Sequence, residues 1–172
     1  MKSTLISNAT VVDVDAGLCC PGQNIEIQND RIHSISAHVE REFDEIIDAA
    51  GAFVCPGLID GHVHLFLDGG STPRVSYLTS DEDSRWQTAV ANASRALDAG
   101  ITTVRDCGGP AALSFRLQHA IKNGDIRGPR VLCAGSPLTR PKGHCHFFGI
   151  ELESPADAHS AVDYQAQQEQ IS

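Results

Sequence analysis

The chain has 172 residues, a formal net charge of −9 and 41% hydrophobic residues. That apolar content supports a sizeable buried core and excludes a disordered polar chain. The acidic balance argues against nucleic acid or an anionic membrane as partner, and no run approaches the roughly 18–20 apolar residues of a membrane span.

The opening MKSTLISNATVVDVD alternates apolar and polar residues instead of running apolar, which is not the pattern of a secretory leader. The six cysteines, Cys19, Cys20, Cys55, Cys107, Cys133 and Cys145, form no C-x-x-C pair. Reduced thiols in a cytoplasmic protein are expected. Thr10 to Val14 is β-branched, and Gly17 and Pro21-Gly22 break the chain after it. Asn24 to Gln28 and Arg31 to Ile35 alternate with period two around the turn signal Asn29-Asp30, predicting a hairpin over 23–35. Ile46-Ile47-Asp48 adds a short strand, so residues 1–55 read as a small antiparallel β unit.

The texture changes at Cys55-Pro56-Gly57. Leu58 to Leu65 reads as a strand buried on both faces, and a polar loop with Gly69-Gly70 and Pro73 comes next. Trp86, Val90, Ala93 and Leu97 recur at helical spacing, with acidic residues at the start and Gly100 at the stop. Ile101 to Val104 is the next strand, ending at Arg105-Asp106. A helix from about Pro110 to Gly124 carries Leu113, Leu117, Ala120 and Ile121 on one face. Arg130 to Ala134 is a third strand. A long loop, 135–153, precedes a capped helix start at Ser154-Pro155-Ala156-Asp157. Strands alternating with helices over 56–172 predict a parallel α/β sheet with right-handed crossovers.

His62 and His64 are two residues apart at a predicted strand end, and period two puts both rings on one face. Neutral imidazoles held this way suit a divalent metal, although an isolated H-x-H is equally the mark of two hydrogen-bonded histidines. Asp106, also at a strand end, either supports that site or caps the next helix. Nothing marks Cys107 as a nucleophile, and it is read as structural. His144, Cys145 and His146 match no standard zinc spacing by themselves.

The segment Val54-Cys55-Pro56-Gly57-Leu58-Ile59-Asp60-Gly61-His62-Val63-His64 resembles the first-strand signature of the metal-dependent amidohydrolase superfamily. Gly100 to Asp106 looks like that family's second strand, and Gly128 to Gly135 like its third. The loop from Arg140 to Gly149 resembles the Gly/His-rich loop of the imidazolonepropionase-related, Xaa-Pro dipeptidase-like branch. The resemblance implies the first three βα units of a TIM-type (β/α)8 barrel, incomplete here, preceded by part of a small β-sandwich. It implies His62 and His64 as metal ligands, with zinc as the metal, one or two ions in the full enzyme. Hydrolysis of C–N bonds in amides, cyclic amides or dipeptides is the implied reaction. A phosphotriesterase-like activity belongs to the same fold.

On the loop, Arg140, His144 and His146 are candidates for substrate contact, Arg140 through a carboxylate. The competing reading is a loop folded on its own aromatic residues with surface histidines. A closed barrel takes about 250 residues, so residues 56–172 supply about three βα units by that measure. The family's fourth-strand lysine, its later histidines and its late aspartate are expected beyond Ser172. The chain therefore reads as an N-terminal fragment, inactive alone and prone to self-association through open sheet edges. A non-catalytic module binding metal or a partner is the alternative.

Overall fold

The computed structural model describes residues 2–171, with only the backbone described over 168–171. Two compact units divide the chain, Met1–Pro56 and Gly57–Ser172.

In the first unit, β1 (Ser3–Asp13), β2 (Leu18–Gln28), β3 (Arg31–Ser36), β4 (Glu45–Asp48) and β5 (Phe53–Val54) form one sheet. Its order is β3-β2-β1-β4, with β5 also on β1. The expected β2–β3 hairpin is present, and Asn29 supplies its turn with φ 57°. Two expectations need correcting. The first strand begins at Ser3, seven residues before the β-branched run, because it pairs with β2 from Ser3↔Gln28 onward. The unit is also mixed: β4 and β5 both run parallel to β1. Leu5, Ala9 and Ile25 are its buried residues.

In the second unit, β6 (Leu58–Val63), β7 (Ile101–Asp106) and β8 (Arg130–Cys133) form a parallel sheet in sequence order. α1 (Pro73–Thr79) and α2 (Glu82–Asp98) connect β6 to β7, and α3 (Ala111–Asn123) connects β7 to β8. α1 lies where a polar loop was expected. Pro73 stands in its first turn, and Tyr77 is its buried anchor. α2 begins at Asp81, whose carboxylate accepts a hydrogen bond from the Ser84 amide at 2.8 Å. α3 ends on Gly124 in the left-handed conformation, φ 84°.

The long loop after β8 contains a short parallel pair, β9 (Leu138–Thr139) with β10 (Ile150–Glu151). α4 (Pro155–Ile171) then starts as predicted: the Asp157 carboxylate accepts from the Ser154 amide, and the Ser154 hydroxyl accepts from the Asp157 amide.

One face of the parallel sheet carries the core. Val104 and Val131 pair in register and are buried with Leu65, Phe66, Leu113 and Leu117. The next pair in register, Arg105 and Leu132, is exposed. The expectation that β6 is buried on both faces is wrong for this chain. Leu58 is 55% and Ile59 74% exposed, because among the described residues one face of this sheet is covered and the other is bare. Among the described residues no helix is long and apolar enough to cross a membrane.

Candidate metal centre

The C-terminal ends of the three strands are pinned side by side. The Cys107 amide donates to the Val63 carbonyl at 2.9 Å, and the Ala134 amide to the Asp106 carbonyl at 2.9 Å. His62 and His64 stand at this end. Between Asp60↔Val104 and Val63↔Asp106, β6 advances three residues while β7 advances two. One extra residue is therefore inserted at Gly61-His62, a bulge that re-aims a side chain at the sheet edge. The Asp60 carboxylate steadies it by accepting from the His62 amide at 3.1 Å.

The strand ends at Val63, one residue before His64. A regular period of two is thus not what aligns the histidines; the bulge and the strand terminus do. The two rings meet edge-on with centroids 5.4 Å apart.

His64 Nδ1 lies 2.9 Å from the Gly108 carbonyl oxygen. That oxygen can only accept, so the contact requires the proton on Nδ1, and in the neutral ring the lone pair is then on Nε2. Metal-ligating histidines are oriented in this way by a carbonyl or carboxylate on the other nitrogen. The donor set therefore fits a divalent ion as far as it goes: two adjacent imidazoles, one with its tautomer fixed. Among the described residues no group of three or more His, Cys, Asp or Glu side chains completes a metal site.

Asp106 is 1% exposed and sits beneath this arrangement. Its Oδ1 accepts from the Gly108 amide at 3.0 Å, and its Oδ2 is buried without a hydrogen-bond partner. Burial pushes its carboxyl above the ordinary value of 3.8, against weaker downward pulls from the Gly108 amide, the His64 ring and the Leu65 amide, the last from beyond hydrogen-bond geometry. Of the two roles open in the sequence, helix capping is ruled out. The residue before α3 is Pro110, and α3 has no side-chain cap. Cys107 points its thiol toward the Gly61 and Arg105 carbonyls, each at 3.7 Å.

The loop after β8 closes over one side of the pair. The Phe148 ring lies 5.9 Å from that of His64, and Phe147, Phe148 and Tyr77 pack edge-to-face. Lys142 and Cys145 take positive φ values of 56° and 57°, and burial pushes the Cys145 thiol up, away from the thiolate form a metal prefers. His146 Nδ1 is 3.3 Å from the Glu151 carboxylate on β10. Arg140 and His144 are exposed.

Two positioning features are not legible in the sequence. The Asn92 side-chain amide donates to both the Leu65 and Leu67 carbonyls at 2.8 Å, tying the turn after His64 to α2. Phe148 borders His64 from a loop 84 residues downstream. Nothing local announces either: Asn92 lies off the stripe of Trp86, Val90, Ala93 and Leu97, and Phe148 is far away in sequence.

A model of the amidohydrolase family matches residues 53–171. An uncharacterised protein of Mycobacterium tuberculosis is 34% identical over 123 residues, covering 72% of this chain and 28% of that protein. A dihydroorotase of Pelotomaculum thermopropionicum is 35% identical over 126 residues, covering 70% of this chain and 29% of the enzyme. A crystal structure of a candidate prolidase from Bifidobacterium longum superposes with a TM-score of 0.78 at 30% identity, over 97% of this chain and 39% of that one. The chain thus spans under a third of the length of these curated relatives. The family model covers well over half of it, and the fold extends across nearly all of it. The chain belongs to the amidohydrolase family and shares the fold of its prolidase-like members.

Proposed function

We propose that this chain carries the first two metal ligands of a hydrolase acting on C–N bonds, and that its parallel sheet is the opening part of a (β/α)8 barrel. The observation that carries the reading is the His62–His64 pair at the strand ends, with the His64 tautomer set by Gly108. The family match and the dihydroorotase and candidate-prolidase relatives support the reaction class. Zinc is the ion we assign, one or two per site. An ion bound there supplies Lewis acidity toward the scissile carbonyl and toward water.

The chain's own residues do the rest. His62 and His64 offer neutral imidazoles. The Gly108 carbonyl holds the proton at His64 Nδ1. Phe148, backed by Tyr77, flanks one side of the His64 ring. On the same loop, Arg140 and His144 are the exposed groups we assign to a small amide or dipeptide substrate, Arg140 to its carboxylate. His146 faces Glu151 through Nδ1, so it would join them through Nε2.

With two ligands, the 172-residue chain by itself is expected to show no turnover. A non-catalytic metal-binding or partner-binding module is the second reading, favoured by the lack of a third ligand among the described residues. The protein as it occurs in the cell, supplied with zinc or manganese, should be assayed on N-acyl amino acids and dipeptides. Metal-dependent hydrolysis lost in His64→Ala is expected. Hydrolysis indifferent to both His62→Ala and His64→Ala would overturn the assignment.

A further inference from the structure

Asp106 is a buried carboxyl group with Oδ2 unpartnered, at a strand end where an apolar residue would be cheaper. The one hydrogen bond it makes reaches Gly108, and Gly108 in turn holds His64. Gly108 cannot readily be replaced. Its φ is 148°, and a Cβ there would lie 2.8 Å from the Pro137 ring. A glycine in such a conformation has many alternatives open to it, so something must fix its two flanking peptides. Asp106 grips the amide on one side. On the other, the Gly109 amide donates to the Gly135 carbonyl at 3.1 Å. The Gly108 carbonyl belongs to the second of these peptides; with the Gly109 amide held on Gly135 and the Gly108 amide held on Asp106, both dihedrals of Gly108 are set and the carbonyl is aimed at His64 Nδ1.

We propose that Asp106 is a positioning residue for the metal site: through the Gly108 peptide it fixes His64 as the Nδ1–H tautomer, leaving Nε2 toward the metal. The inference rests on the metal reading above for its purpose and on the hydrogen-bond chain for its mechanism. An acceptor is what the position requires, and a negative charge is not. Asp106→Asn keeps an oxygen for the Gly108 amide, whereas Asp106→Ala removes it.

The test is nitrogen NMR of the full 172-residue chain with labelled histidine, first without metal and then titrated with Zn²⁺ alone. In the unaltered chain His64 should be a single Nδ1–H tautomer, and the Gly108 amide should be protected from exchange. Asp106→Asn should retain that tautomer, and Asp106→Ala should give a mixture and raise the Zn²⁺ concentration needed for half of the His64 shift about tenfold, the lower end of what such outer-shell changes cost in affinity. A fixed tautomer in Asp106→Ala overturns the inference. So does a Gly108 amide that exchanges freely in the unaltered chain, a result that needs no variant to fold. The two readings fail separately. Zinc shifts on His62 and His64 with an unchanged tautomer in Asp106→Ala sink only the role of Asp106. A tautomer released in Asp106→Ala with no zinc shift upholds that role and sinks the metal site.

Discussion

At His64 a single contact decides which nitrogen is available, because a carbonyl oxygen cannot donate. The residues around it carry the cost of that choice. Asp106 holds its proton more tightly when folded than when unfolded, since burial raises its pKa. Its contribution to stability is therefore full below its ordinary value of 3.8 and is lost as pH rises through the folded value. Asp106→Asn escapes that loss. Thermal melts from pH 4 to 8 should show the Asn variant more stable at neutral pH, with the gap closing toward pH 4; a gap that widens in acid would contradict the burial argument.

Asn92 offers a second residue-level test. Asn92→Ala leaves the Leu65 and Leu67 carbonyls without their donor, at about 1–2 kcal/mol for part-buried groups, read as a lower urea midpoint with unchanged slope. That His62 and His64 stand together at a strand end was legible in the sequence because the two are near neighbours; the bulge that aligns them was not. The roles of Asp106 and Asn92 were not, because each depends on a backbone atom contributed by another element.

Helices and strands differ in how openly they declare themselves. α2, α3 and the start of α4 were legible because caps, stops and a 3.6-residue stripe are written into short windows. Gly124 is such a stop, with φ 84°. Gly124→Ala should lower stability by about 1 kcal/mol, the cost of a side chain in the left-handed region, and unchanged melting would contradict its role. α1 escaped because seven residues are too few for a periodic signal, and what anchors it, Tyr77 on Phe147 and Phe148, comes from a distant loop. The parallel pairing of β4 and β5 with β1 escaped for a related reason. Alternation predicts that a strand exists and is silent on its neighbour and direction. The bulge at Gly61-His62 is the same problem on a smaller scale, since register is a property of two strands.

Across the second unit, the exposed face of the sheet is the feature that sets behaviour in solution. Leu58, Ile59 and Leu132 are all more than half exposed, and among the described residues β6 and β8 each lack a neighbour on one side. Unpaired strand edges with apolar side chains template further pairing. Light scattering of the 172-residue chain should therefore report species larger than a monomer, and association should weaken in Ile59→Lys; a compact monomer at high concentration would contradict this.

The fold class was legible because three strand motifs recur in order with helices between them. What packs on the sheet's open face was not, since alternation along a strand is silent on its neighbours. The central claim is that His62 and His64 jointly take a metal, and zinc titration followed on both histidine rings tests it most directly. Weak binding is predicted, shifting both imidazoles together and vanishing in His62→Ala and in His64→Ala. Tight one-to-one binding that survives both substitutions would contradict it.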